Sequence, residues 1–206
     1  MTEPAIPGVP GAVGADGVID AVPPGIPGPR RVVEVVTHYL EMRAAPGRAV
    51  PPPPPGVQLV RAAPSAGLAR FYRFLYDGVG APWHWYARQV LPPEELAAIL
   101  ADPGVEVHVL WQGGVPLGYA ELDRRVAGEV ELAYFGLFPE AVGQGLGSWL
   151  LAWSVAEAWR PAGVARVWVH TCSLDHAAAL PVYLRAGFTK TGESRHRQTI
   201  VERSAP

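Results

Sequence analysis

The residues best suited to hold a ligand lie at Ala141–Ser148, where Gly143, Gly145 and Gly147 lead into the apolar run Trp149–Trp153. A side-chain-poor turn that opens a helix exposes N–H groups with no partner inside the helix. The positive end of the helix dipole adds to them. Such a turn suits a phosphate or pyrophosphate, and its glycines let the backbone approach the ligand closely. An ordinary Gly-rich turn is the alternative. A dinucleotide fold would need its first glycine at the strand end and an acid about twenty residues on, whereas Pro139–Val142 intervenes here. A phosphate-binding P-loop would need Gly-Lys-Ser/Thr, and the segment has no lysine. Cys172 shares a strand face with His170, but acyl-cysteine chemistry needs an oriented base. A lone cysteine is more commonly a small buried hydrophobe. The six histidines lack His-Glu-x-x-His or clustered Cys/His spacing, so no metal is expected.

The elements that must position these residues follow from pattern. Arg31–Met42 is rich in β-branched and aromatic residues and predicts a strand, as does Val57–Arg61. Pro51–Pro55 between them reads as a stiff spacer. Leu68, Phe71 and Leu75 space a helix over Ala66–Gly78, with the aromatic cluster Trp83, His84, Trp85 and Tyr86 beyond the break at Gly78–Gly80. Leu91–Leu100 opens with prolines and acids, as a helix N-terminus does, and Asp102–Gly104 stops it. Val105–Trp111 and Gly118–Arg124 form a hairpin across Gln112–Leu117. Then come a strand at Val130–Phe138, an apolar helix at Leu146–Arg160 and a strand at Ala165–Cys172. A helix over Asp175–Arg185 is capped by Asp175 and ended by Ala186–Gly187; closing strands fill Phe188–Val201. One βαβ unit (130–172) within an antiparallel meander gives an α+β fold, a mixed, mostly antiparallel twisted sheet flanked by helices.

The chain has 206 residues and a net charge of −2, which is no nucleic-acid footprint. Its single cysteine excludes an internal disulfide framework and fits a reducing cytosol. No apolar run reaches the roughly 20 residues of a membrane span, and the first residues lack a signal peptide's basic start and apolar core. A cytoplasmic protein with no membrane or nucleic-acid partner is expected. Residues 1–30, almost without large side chains, predict a disordered Pro/Gly-rich tail. Residues 31–56 hold an extra strand and the spacer, and 57–201 the functional domain.

Strand, Pro139-Glu140, glycine loop, helix and strand, then Ala179–Phe188 with Tyr183 and Gly187-Phe188, together resemble the GNAT superfamily of acetyl-CoA-dependent N-acetyltransferases over about residues 57–200. The resemblance implies that acetyl-CoA is the co-substrate. Its pyrophosphate would rest on Val142, Gly143, Gln144, Gly145, Leu146, Gly147 and Ser148, and backbone groups of Leu137 and Phe138 would pair with pantetheine and polarise the acetyl carbonyl. Val142 stands where the family has Arg or Gln, so backbone donors must carry the pyrophosphate. His176 stands where asparagine is frequent, seven residues before Tyr183. Glu131, eleven residues before Val142, matches the general-base glutamate of the histone-acetyltransferase branch. A structural glutamate and a water-relayed base are the alternatives. Tyr183 would donate to the departing sulfur, or be a core tyrosine. Trp83, His84, Trp85 and Tyr86 fall where the family binds its acceptor, and Glu121 and Asp123 could draw a cationic amine, or form a solvated strand face. The implied reaction is transfer to a primary amine, on a small molecule or a protein, by direct attack in a ternary complex. A non-catalytic acyl-CoA-binding or interaction module is the alternative. Oligomeric state is left open, a homodimer included.

Overall fold

Period-two alternation along the central strands divides their side chains between two apolar layers. In the computed structural model, which describes residues 12–13 and 16–202, Val107, Val109 and Tyr119 join one layer while Leu110, Ala120 and Leu122 join the other. Among the described residues nine strands form one sheet: β1 Ala12–Val13, β2 Val18–Asp20, β3 Arg30–Met42, β4 Val57–Arg61, β5 Val105–Gln112, β6 Val115–Asp123, β7 Glu129–Leu137, β8 Arg166–Cys172 and β9 Thr189–Val201. Their order is β1-β2-β9-β3-β8-β7-β6-β5-β4. Pairs β2/β9 and β7/β8 are parallel, and the rest are antiparallel. Helices α1 (Leu68–Gly80) and α2 (Pro93–Ala101) pack into the first layer, α3 (Leu146–Trp159) and α4 (Ala179–Ala186) into the second. This is the mixed α+β sheet with one βαβ unit expected from the sequence.

Helix α1 is amphipathic: Leu68, Tyr72, Leu75, Tyr76 and Val79 repeat at helical spacing and all are buried. Helix α3 is apolar nearly all round, because it is covered on both sides. Leu150 and Val155 face the sheet layer, while the Trp149 indole donates to the Pro51 carbonyl at 3.0 Å. The proline run is thus tethered to α3. No described helix is long and apolar enough to cross a membrane.

Four local expectations change. The hairpin turn is only Gly113–Gly114, both at positive φ, which suits the tight turns that match strand twist. Helix α4 starts at Ala179 rather than Asp175, and the Asp175 carboxylate is engaged elsewhere. The closing segment is one 13-residue strand, β9, whose partner is β3 from the other end of the chain. Strand β3 therefore stands inside the sheet, between β8 and β9. Finally, the expected disordered tail is partly structured. Ile19, Ala21 and Val22 are buried with Tyr86 and Val201, where apolar burial offsets the cost of ordering. Residues 1–11 and 14–15 of that tail lie outside the described residues.

Glu121 is also displaced from its expected role. It faces α1, fully buried, accepts from Arg88 Nη2 at 2.5 Å and from the Tyr72 hydroxyl, and cannot meet an acceptor amine. Asp123 is held by Arg125. Removing one partner of a buried ion pair leaves an uncompensated charge. Glu121→Ala should therefore cost about 3–5 kcal/mol and lower Tm by on the order of 10 °C, read by thermal unfolding.

Candidate active site

Strands β7 and β8 pair in parallel over only three positions, Glu129/Arg166, Val130/Val167 and Glu131/Trp168. Past Glu131 they part, and the gap opens into a cavity of about 840 Å³. At one end this cavity meets the glycine loop and the start of α3, with Val142, Gly143, Gly145, Gly147 and Ser148 in its lining. At the other it reaches the 83–86 segment, Ala21, Val35 and Thr37 on or before β3, and His196 and Gln198 on β9.

The loop has the form an anion needs. Gly143 and Gly145 lie at φ +87° and +77°, and a Cβ added to either would meet nothing within 4 Å. Gly145 caps α3 without any side-chain hydrogen bond, so the first N–H groups of the helix face outward. Gln144 turns away and donates to the Glu140 carbonyl at 2.9 Å. Val142 is exposed at the entrance. Gly145→Val puts a β-branched residue into the left-handed region and should weaken acetyl-CoA binding about tenfold, roughly 1.4 kcal/mol. Calorimetric titration checks it, with thermal unfolding to show that the fold persists.

The gap edge of β7 carries free backbone groups. Phe138 N–H donates to the Leu117 carbonyl at 2.9 Å. Antiparallel pairs alternate in which edge they use, so Leu137, opposite Gly118, directs its N–H and C=O away from β6 toward the gap. Of the two expected contributors, Leu137 has its N–H available and Phe138 does not. The Phe138 ring instead packs on α1, so tightly against Gly78 that a Cβ there would lie 2.1 Å from it.

Tyr183, on α4, is buried against Phe135 and Phe188 and lines the cavity. Burial, with the nearby Asp175 charge, pushes its phenol well above the usual range, so it keeps its proton. Glu131 does not reach the cavity lining. Its carboxylate lies 3.3 Å from His170 Nδ1, an ion-pair distance without hydrogen-bond alignment, and it is His170 that lines the cavity. Since Nδ1 is buried toward Glu131, Nε2 is the nitrogen left for the cavity. Cys172 also lines it, but burial and Asp175 push its thiol up to about 12, far from a thiolate.

The aromatic segment is shaped by Gly80, where a Cβ would lie 2.3 Å from the Trp85 ring, and by His84 at φ 58°. The Trp85 indole donates to Asp175 at 3.0 Å and packs on Tyr76 and Tyr134. Tyr86 lines the cavity and is also an anchor, its hydroxyl accepting from Val201 N–H. Trp83 crosses the His176 ring edge-on, and His176 Nδ1 accepts from Ala178 N–H. The structure thus gathers Tyr183, the glycine loop, His176 and residues 83–86 around one cavity. It leaves Glu121 out, and adds His170, Tyr134, Thr37, His196 and Gln198. Elsewhere, Glu106, His108 and Glu157 bring ligand-type atoms within 4.8 Å of one another. Arginines fill that site: Arg61 and Arg124 hold Glu106, and Arg160 holds Glu157. The hydrogen bond from His108, with those cations, holds the Glu106 carboxyl at about 2.

The model of the acetyltransferase (GNAT) family matches residues 68–188, more than half of the chain. The chain belongs to the GNAT family. Solved GNAT structures share its fold. A GCN5-related N-acetyltransferase from Kribbella flavida aligns with a TM-score of 0.56 at 21% identity, over 82% of this chain and 59% of that one. A GCN5-related N-acetyltransferase from Sphaerobacter thermophilus gives 0.60 at 19%, over 84% and 54%. The ribosomal-protein-S18-alanine N-acetyltransferase from Escherichia coli gives 0.51 at 17%, over 71% and 97%. This chain therefore spans little more than half the length of the first two GNAT proteins. Curated proteins give no match.

Proposed function

We propose that this chain is an acetyl-CoA-dependent N-acetyltransferase that serves a primary amine by direct attack in a ternary complex. The observation that carries this reading is one cavity joining the glycine loop of α3 to an aromatic chamber, with Tyr183 and His170 on its walls. When bound, acetyl-CoA supplies an activated acetyl thioester. The N–H groups at the start of α3, with Gly143 and Gly145, hold its pyrophosphate in place of the side chain that Val142 lacks. Leu137 N–H faces the acetyl carbonyl and stabilises charge developing there. His170 takes the amine proton through Nε2. Glu131 acts through His170 rather than directly, holding the side of the ring that carries Nδ1. Tyr183 gives its proton to the leaving sulfur as the N–C bond forms and the C–S bond breaks. A cytoplasmic setting belongs to the same reading, supported by the single cysteine.

The second reading, a non-catalytic acyl-CoA-binding module, draws on Val142, which offers no side-chain donor. Amine-dependent release of free thiol from acetyl-CoA separates the two. Release across part of a broad amine panel supports the transferase. Tight acetyl-CoA binding with no release for any amine favours the module.

A further inference from the structure

The acceptor half of the cavity is poor in charge. Among the described residues lining the cavity there is no lysine, arginine or glutamate, and Asp175 is the one acid. Both Asp175 oxygens are already engaged. Oδ1 accepts from the Trp85 indole at 3.0 Å, and Oδ2 accepts from the Thr171 hydroxyl and Cys172 N–H, each at 2.8 Å. Ala21, Val35, Trp83, Trp85, Tyr134 and Leu174 give the chamber apolar and aromatic walls, broken by the polar side chains of Thr37, His84, His170, His196 and Gln198. The far side is closed by the segment after β2, which is packed on Tyr86 and Val201.

Magnitudes decide what such a chamber accepts. Burying a second ammonium without a carboxylate costs several kcal/mol. A cation–π contact returns about 0.5–2 kcal/mol, and the Tyr134 ring already has the Arg88 guanidinium 5.2 Å from its centre. A carboxylate on the acceptor would likewise meet no lysine or arginine. An apolar body, by contrast, gains about 25 cal/mol for each Å² removed from water.

Resting on the transferase reading above, we infer that the acceptor is a small hydrophobic monoamine: one primary amine on an uncharged aromatic or branched aliphatic body. Polyamines, aminoglycosides, α-amino acids and lysines in basic peptides fit this chamber poorly. The nitrogen–carbon bond forms as the C–S bond breaks, His170 takes the protons that the nitrogen sheds and passes them to solvent, the sulfur receives the Tyr183 proton, and solvent reprotonates Tyr183. Asp175 takes no part in the proton transfers. Its oxygens are engaged by three donors, the Trp85 indole among them.

The test is kcat/KM of the full chain with acetyl-CoA, by thiol release. The panel is phenethylamine, 3-methylbutylamine, 1,4-diaminobutane, spermidine, phenylalanine and a lysine-containing basic peptide. The two hydrophobic monoamines should exceed the diamine, spermidine, amino acid and peptide by about tenfold or more, the equivalent of about 1.4 kcal/mol. A diamine, spermidine or peptide that matches or beats them overturns the inference and leaves N-acetyl transfer standing. No acetylation of any amine overturns the transferase reading, and the inference with it. Trp85→Phe supplies a second readout by removing the donor to Asp175 Oδ1. The ratio of kcat/KM for 1,4-diaminobutane over 3-methylbutylamine should rise several-fold, about 1 kcal/mol or less on the same scale. An unchanged ratio overturns the role given to Asp175 and its donors.

Discussion

Replacing His170 by asparagine should lower kcat by about 10²-fold or more, while KM for acetyl-CoA moves by no more than about twofold. The nucleophile must be a neutral amine, and near neutral pH an alkylamine holds its proton. A base that removes it frees the lone pair for attack without touching acetyl-CoA, so its loss appears in kcat. His170 lines the gap between β7 and β8, and Glu131 approaches its far nitrogen at 3.3 Å. Glu131→Gln keeps the shape and removes the charge, so it should cost less, about tenfold in kcat. If Glu131→Gln loses about 10²-fold in kcat while His170→Asn keeps most of the activity, the carboxylate works without the ring. Steady-state kinetics at saturating acetyl-CoA, with a hydrophobic monoamine, make the comparison.

Tyr183→Phe is the second large loss, about 10²-fold in kcat with little change in KM. The phenol is buried between two phenylalanines, and burial with the Asp175 charge raises it above its ordinary value. A group held protonated across the working range serves as an acid and not as a base. Phenylalanine fills the same volume, so the core of α4 and β9 should survive, and an unchanged Tm separates lost chemistry from lost fold. An unchanged kcat would remove the role assigned to Tyr183.

What could be seen in the chain beforehand was what depends on near neighbours. The glycine loop at the mouth of α3, the βαβ unit around it and the Ala179–Phe188 segment are local patterns, each read from one continuous stretch of chain. The β3/β9 pairing links residues 30–42 to 189–201, and no local pattern announces which strand fills a gap so distant. Ile19 and Ala21 read as a low-complexity tail because their burial depends on Tyr86 and Val201. Glu121 read as a free carboxylate because Arg88 and Tyr72, its partners, arrive from α1 and the segment before α2. His170 could be marked as a strand histidine facing the same way as Cys172. Its place at the cavity required the β7/β8 register, which brings Glu131 opposite Trp168 and so beside His170. Asp175 shows the same limit: its position suited a helix cap, but three donors from β8 and the aromatic segment claimed it.

The most direct measurement is calorimetric titration of the full chain with acetyl-CoA. A cradle built from the glycine loop and the gap edge of β7 should give saturable binding at one site per chain, weakened about tenfold in Gly145→Val. No heat of binding at millimolar acetyl-CoA, or the same affinity in Gly145→Val as in the natural chain, would contradict it.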